Sequence, residues 1–502
     1  MQATYPNMPR LRTLSMACIA IAVLGLSGCA NYMGIHSDKH IASPNAYATA
    51  RSLPNQGGQW PTTDWAAQFG DPQLQQLIHE ALAGNPDLQM AQARLAAARA
   101  QVEGAGAALL PRIGVSGDVY RQKFTEHTIY PPGYGGSWFT QGDAMANLTY
   151  ELDLWGKNRA AQAQAISAEK AEEAADQEAR LTVATAVARA YNQLAQQYAL
   201  RDVLVRELKQ REMLSRLARD RLKAGLDTEV ETKQAQGNIA DAKTQLSQLD
   251  GQILVTRHQL GALLGKGPDR GLQIARPRLA TIASPRIPDN LPLNLLGRRP
   301  DIVAARWQVE AALKGVDVAK ARFYPDINLM ATIGFSSFGL GQLFTAASQQ
   351  IQAGPAISLP IFDGGRLRAN LKGEYARYEE AVASYDKTLN DALTDVADRL
   401  SNIHSTDQQM VTQAQAYDAA KSAYDLAVSR YRAGLAPQLV VLNAESFLLA
   451  QEQLRANLVA TRRDQQMALI KAMGGGFDAQ AAGLAQSSGS VAQAASPAPA
   501  IH

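Results

Sequence analysis

Arg221-Leu222-Lys223-Ala224-Gly225-Leu226 and Arg430-Tyr431-Arg432-Ala433-Gly434-Leu435 are one phrase written twice, 209 residues apart in a chain of 502. Gly265 and Gly474 repeat at the same offset. Upstream, Asn85-Pro86-Asp87 opens an alanine-rich segment that runs to Pro111, and Arg299-Pro300-Asp301 opens another that runs to Pro325, with a proline-to-proline spacing of 25 residues in each. Proline suits the first turn of a helix, where its missing N–H has no partner to lose, and the second proline marks where helix gives way to extended chain. A repeat this long decides the architecture. The chain reads as two tandem halves of one layout, 72–265 and 289–474, joined by a linker at 266–288.

Each half contains a long stretch without proline, about Lys157 to Leu222 and about Gly365 to Arg432. At 1.5 Å per residue each predicts a helix of roughly 100 Å. Gly225 and Gly434 fit the left-handed position just past a helix end, after which the chain returns as a second helix over about 228–264 and 437–473. Ile239, Ala242, Leu246, Leu249, Ile253, Leu260 and Leu263 keep heptad spacing, with Thr256 out of character, and form a coiled-coil seam. Along the preceding helix, Leu181, Ala184, Ala188, Tyr191, Ala195 and Tyr198 allow close packing, while charged and amide side chains keep the other faces wet.

Two short segments in each half alternate apolar and polar residues. They lie at about 113–121, 144–154, 327–335 and 354–362, as in Leu148, Tyr150, Leu152 and Leu154 against Asn147, Thr149, Glu151 and Asp153. Such strands suit a soluble sheet or a membrane barrel with a wet lumen. Their length, about the nine to eleven residues that cross an outer membrane, favours the barrel in an exported chain. Four strands cannot close a membrane barrel, since the smallest have about eight, so copies must share one, and three-fold assembly gives twelve. Trp155 and Phe362 stand at matching ends of strands two and four, where aromatic residues meet headgroups. Glycine-rich loops between paired strands, Tyr130 to Gly136 and Ser336 to Gln349, then face outside.

The N-terminus predicts export. Arg10 and Arg12 precede an apolar run from Leu14 to Leu26, too short for a permanent span, and the run ends in Leu26-Ser27-Gly28-Cys29, which resembles a bacterial lipobox. Residues 1–28 are thus expected to be a signal peptide, with Cys29 the first mature residue, carrying N-palmitoyl and S-diacylglycerol groups as its only added group. In such lipoproteins Ala30 is compatible with delivery to the outer membrane. The other cysteine, Cys18, lies inside the signal, so no disulfide forms within a mature chain. A net charge of +3 gives no electrostatic reason to propose nucleic acid as a partner. Beyond Cys29 no run of about 18 apolar residues offers a helical span.

Three motifs carry a family resemblance. Leu296-Gly297-Arg298-Arg299-Pro300-Asp301-Ile302, Tyr150-Glu151-Leu152-Asp153-Leu154-Trp155-Gly156-Lys157 and Pro360-Ile361-Phe362-Asp363-Gly364-Gly365-Arg366 resemble motifs of the TolC-like outer membrane factors, and within them the NodT-type lipoprotein branch of RND-type efflux systems. The resemblance runs over about residues 60–475. It implies a mostly α protein with membrane β: a homotrimer with a 12-stranded outer-membrane β-barrel, four strands per protomer, continued by a long periplasmic α-helical barrel. An equatorial collar would draw on 29–71 and the linker. It also implies a periplasmic adaptor and an inner-membrane efflux pump as partners, outer-membrane lipid around the barrel, and a passive exit duct for small molecules such as drugs or aromatic acids.

In relatives the periplasmic entrance is narrowed just after the last hairpin turn, where this chain has Leu439 and Asn443 one helical turn apart. Many relatives carry a carboxylate at the position of Asn443, so a ring of charge is not expected here, whereas an apolar constriction at Leu439 is. The alternative is that both residues pack into neighbouring helices. The tips, with Arg221, Lys223, Gly225, Arg430, Arg432 and Gly434, are the expected adaptor contacts, although basic residues at a helix end also complement its dipole.

No catalytic chemistry emerges. Gly261-Ala262-Leu263-Leu264-Gly265-Lys266-Gly267 has the wrong spacing for a phosphate loop and no Ser or Thr after the lysine. The seven histidines form no His-Glu-x-x-His pattern, and scattered carboxylates read as solvated helix faces. A metal site and an enzyme are therefore not expected. The rival class is a lipidated periplasmic coiled-coil adaptor or scaffold without a pore, which leaves the repeated strands unexplained. From Ala479 to His502 the Ala, Ser and Pro content predicts a disordered tail.

Overall fold

The computed structural model describes residues 31–43, 46–127, 133–283 and 286–485. The export signal, Cys29, Ala30, the loop residues Tyr130 to Pro132 and the tail beyond residue 485 lie outside the described residues. The chain forms two compact units, one holding residues up to 41, 96–170 and 306–384, the other 42–95, 171–305 and 385 onward.

The first unit contains one antiparallel sheet, β1 (Arg112–Lys123), β2 (Trp138–Leu152), β3 (Asp326–Phe338) and β4 (Gln349–Ser358), in that order. Each half supplies one hairpin, and the two join where β2 meets β3, Leu148 opposite Ala331. The register sorts side chains into two faces. Val115, Ala146, Ile333 and Ile351 line up on an apolar face; Asp118, Asp143 and Ser336, and then Asn147, Thr332 and Gln352, line up on a polar one. Ser336 Oγ donates to Asp143 at 2.6 Å and Thr332 Oγ1 to Asn147 at 3.0 Å, so the polar face is cross-linked strand to strand. β1 and β4 each have one strand neighbour, which leaves a row of backbone N–H and C=O groups on the far side of each without a ladder partner among the described residues.

Strand limits depart from the sequence reading in a consistent direction. β2 starts at Trp138 rather than near residue 144, and β3 continues to Phe338, so the sheet extends further towards its two hairpin loops and the second loop is only 339–348. Glycine and serine in these stretches read as loop, yet the ladder outweighs their low strand propensity. β4 stops at Ser358, opposite Asp326, the first residue of β3.

The helices are α1 (Pro72–Gly84), α2 (Pro86–Ala107), α3 (Lys157–Lys223), α4 (Glu229–Leu263), α5 (Pro268–Leu272), α6 (Leu291–Arg298), α7 (Pro300–Ala321), α8 (Arg366–Arg432) and α9 (Gln438–Ala472). α3 and α8 are each 67 residues long, and α4 and α9 each 35, so duplication preserved length to the residue. The residue before each motif proline explains part of that constancy. Asn85 Nδ2 donates to the Leu263 carbonyl (2.8 Å) and Arg299 Nη1 to the Ala472 carbonyl (3.0 Å), each satisfying an orphan acceptor at the end of a returning helix. Just beyond those ends Gly265 (φ 68°) and Gly474 (φ 85°) are left-handed, and a Cβ there would lie 2.0 and 1.7 Å from a backbone oxygen of Gly84 and Arg298. Glycine is obligatory at both.

The second unit's core gathers Trp65, Phe69, Leu74 and Leu77 against Val187, Tyr191 and Leu194 of α3, Ile253 and Leu260 of α4, and Met467 of α9. Full burial of each such side chain contributes about 1.5–3 kcal/mol. Tyr191 Oη donates to Asp71 (2.7 Å) and accepts from Gln73 (2.6 Å), which satisfies the polar end of a completely buried ring. Thr256, out of character in the heptad, is itself buried in the seam. The expected tail disorder fails for its first residues: Ala479 and Leu484 are buried, and the Ala479 N–H donates to the Gly297 carbonyl.

Candidate functional site

At the far end of α3 and α8 the chain turns back twice with the same backbone. The Gly225 and Gly434 N–H groups bond to the Leu222 and Tyr431 carbonyls, those of Leu226 and Leu435 to the Arg221 and Arg430 carbonyls, and both glycines have φ above 70°. Side chains then diverge. Arg221 donates from Nε and Nη2 to the two Asp227 oxygens (3.0 and 3.1 Å) and from Nη1 to the Tyr431 carbonyl (3.0 Å), with its guanidinium 4.6 Å from the Tyr431 ring centre. Tyr431 Oη donates to Asp227 at 2.6 Å. Burial works to raise the Asp227 carboxyl, but the bonds from Arg221 and Tyr431 outweigh it and hold it below the usual carboxylate range. A carboxylate from the first hairpin is thus clasped by one residue of each.

This arrangement separates the six tip residues. Lys223, Arg430 and Arg432 are exposed, and Gly225 and Gly434 are exposed turn residues. Arg221 is not a free tip cation: its side chain is only 12% exposed and every nitrogen faces Asp227 or Tyr431. The sequence showed the arginine but not its partners, since Tyr431 lies in the other half.

Leu439 and Asn443 are both exposed, on the side of α9 opposite its buried positions Gln438, Val441, Glu445 and Leu448. The other described helices of the chain leave both residues uncovered. Beneath them lies a buried charge cluster. Glu207 of α3 and Glu445 of α9 are 3% and 4% exposed, and Arg211 reaches Glu207 (2.5 Å), Asp241 of α4 (3.3 Å) and the Asn238 carbonyl (2.6 Å). Burial pushes the Glu445 carboxyl up to about 7, against the pull of Arg211 and with the help of Glu207. These two carboxylates are not the solvated helix faces that composition suggested. Gln438 is buried too, and its amide makes no hydrogen bond among the described residues, which leaves the first turn of α9 poorly satisfied.

The aromatic residues at the helix side of the sheet also differ from each other. Trp155 sits beyond the end of β2, stacks on Tyr324 (4.8 Å between centroids, 18°) and donates from Nε1 to the Pro325 carbonyl at 2.9 Å. Phe362 lies past the end of β4 and is 84% exposed. Beside Trp155 the N-terminal segment follows the first turns of α8: Arg368 donates to the Asn31 and Met33 carbonyls, Ser37 to Glu379, and Tyr378 to the Lys39 carbonyl. Tyr32 and Tyr324 hydroxyls meet at 3.1 Å. The first described residue, Asn31, is thereby tied to the sheet end of α8, two positions after Cys29.

Comparison with known proteins gives a coherent set. The family model described as outer membrane efflux protein matches residues 77–266 and 291–475. The chain is 40% identical over 370 residues to the fusaric acid resistance protein FusA of Burkholderia cepacia, covering 72% of this chain and 68% of that one. It is 32% identical over 475 residues to the multidrug resistance outer membrane protein MdtQ of Escherichia coli O6:H1, covering 92% and 98%. Among solved structures, the outer membrane protein VceC of Vibrio cholerae superposes with a TM-score of 0.78 at 37% identity, over 84% of this chain and all of that one.

Proposed function

We propose, for a chain that belongs to the outer membrane efflux protein family and serves as the outer-membrane channel of a tripartite efflux system, a lipid-anchored homotrimer whose entrance is set by the last hairpin. One observation carries the trimer: a four-stranded sheet with one polar face, one apolar face and two unpaired edges. Three copies paired edge to edge make a 12-stranded wall with the apolar face to lipid and the polar face to water, which satisfies every strand backbone. The helices continue the duct through the periplasm, where the exposed Lys223, Arg430 and Arg432 meet the adaptor, and the inner-membrane pump supplies the energy. Leu439 and Asn443 project into the bore and narrow it, while Arg221, Asp227 and Tyr431 tie the two hairpins together.

Cys29 carries the lipid in this reading, supported by the lipobox and by the tether of Asn31 to the sheet end of α8, beside Trp155. Relatives named for fusaric acid and multidrug resistance favour drugs or aromatic acids as cargo. Two measurements on purified protein test the whole: oligomer mass in detergent and conductance in a planar bilayer. A trimer with small, mostly closed channels is expected; a monomer that never inserts overturns the reading. Cys29→Ser abolishes metabolic labelling with palmitate but leaves the trimer formed, because the barrel itself anchors it. Labelling that persists in this variant refutes the lipobox.

A further inference from the structure

The polar face of the sheet does not stay polar to its end. Counting along the register, Phe124, Phe139 and Phe338 fall on the same face as Asp143, Asn147 and Thr332, because side chains two apart share a face and Phe139 pairs with Gln122. Their rings pack together: Phe139 and Phe338 lie 5.5 Å apart between centroids, and Phe124 lies 5.7 Å from each. Tyr134, from the β1–β2 loop, stacks on Phe139 at 5.2 Å and leans on Phe338 at 5.8 Å. The loop is held there by its backbone, since Phe124 N–H donates to the Ser137 carbonyl and Gly136 N–H to the Phe124 carbonyl. Phe124 is buried in the cluster, whereas Phe338 is 45% exposed. The adjacent Trp138 is on the opposite, apolar face, with Arg121 5.9 Å from its ring, as befits a residue among headgroups.

We infer that Phe124, Tyr134, Phe139 and Phe338 form an exit constriction of the duct, an aromatic collar on the lumenal face at the mouth opposite the helices. This rests on the reading that the polar face lines a shared lumen. A 12-stranded wall with strands about 4.8 Å apart and tilted by about 40° has a backbone radius of roughly 12 Å. A ring on the wall takes roughly half of that radius, and a loop ring packed over it takes more, so three copies of the cluster crowd the mouth from three sides. The rim is apolar where the passage beneath it is lined by Asp118, Asp143 and Gln141. Bulky hydrated solutes are held back there, while a planar aromatic solute slides past by stacking on the rings. The collar is a second aperture, built from residues of both halves and independent of the entrance at Leu439.

The lack of free cysteine in the mature sequence makes the test direct. Thr332→Cys places a thiol on the polar face, deeper than the collar, and intact cells are treated from outside with a small maleimide or a bulky polymer-linked maleimide. With the collar intact, the small reagent labels the thiol and the polymer does not; with Phe139→Ala and Phe338→Ala added, the polymer labels as well. Tyr134→Ala, which alters only a loop side chain, serves if the double variant does not assemble, and it also admits the polymer. Polymer labelling with all four rings present overturns the collar while upholding the lumen. A thiol that the small reagent reaches in none of the assembled proteins overturns the lumenal reading on which the collar rests.

Discussion

The two hairpin tips share a backbone and differ in their side chains, and the difference shows what duplication kept and what it released. Both close with a left-handed glycine and the same pair of turn hydrogen bonds, and both display exposed apolar residues at equivalent places, Leu226 and Val230 in the first, Leu435 and Leu439 in the second. The first tip adds Asp227 and a complete capping box, with Thr228 accepting from the Val230 N–H and Glu231 reaching back to the Thr228 N–H. The second has Ala436 and Pro437 at those positions and no side-chain cap on α9. Geometry needed for the turn is duplicated; polar anchoring is concentrated in one tip. The tip that carries Leu439 and Asn443 is the less anchored of the two, and its main polar tie is Tyr431 reaching Asp227 on the other.

The most damaging way to break this asymmetry is Asp227→Ala, which leaves Arg221 and Tyr431 facing each other without their shared acceptor. Removing one side of a mostly buried ion pair costs about 3 kcal/mol. A lower midpoint for thermal dissociation and a larger conductance are expected; an intact trimer with unchanged conductance would show that the clasp does not hold the entrance. Next comes Glu445→Gln. The folded value of Glu445, about 7, stands above its ordinary 4.5, so its contribution to helix packing is complete below 4.5 and is lost as pH rises towards 7. Glutamine, which mimics the protonated acid, flattens that part of the profile and stabilises the protein above pH 7. Thermal midpoints measured between pH 4.5 and 8 check this, and parallel curves for the two proteins would remove Glu445 from the account.

Smaller in stability, though visible in conduction, is Leu439→Ser with Asn443→Ser. Both residues face away from their own helix bundle, so the midpoint stays within about 0.5 kcal/mol of the parent while single-channel conductance rises. Equal conductance with the trimer intact would place the constriction elsewhere. A change read in stability alone is Thr228→Ala, which removes the cap of the better anchored tip at a cost of about 1 kcal/mol. Denaturant midpoints measure it, and a zero effect would mean that the capping box contributes nothing to the contrast between the tips.

Much of the fold was legible because its signals are local. Prolines at 86 and 300 and glycines at 225 and 434 punctuate the chain at helix ends, and the long proline-free runs that lead up to the two glycines leave no alternative to helix. Strand ends were read less well. Residues 138–143 contain glycine and polar side chains, and only pairing with Lys123 to Asp118 reveals them as strand. Site residues followed the same division. Leu439 and Asn443 could be placed by their distance from a turn glycine, but the clasp needs Asp227 and Tyr431, which are 204 positions apart. Glu207 and Glu445 look like any charged helix residue until a second and third helix cover them. Sequence spacing carries information about one helix face; it carries none about which helix lies opposite.

The bare edges of β1 and β4 have a genetic consequence. No copy completes its own wall, so the unit of heredity and the unit of function are different objects. An altered protomer that still folds is built into walls beside normal ones and spoils more channels than its share of the pool. One that cannot fold is simply left out. In a cell that makes both forms, leaky strand alleles therefore act as dominant and folding-defective alleles as recessive, and that contrast follows from an edge that must borrow its neighbour.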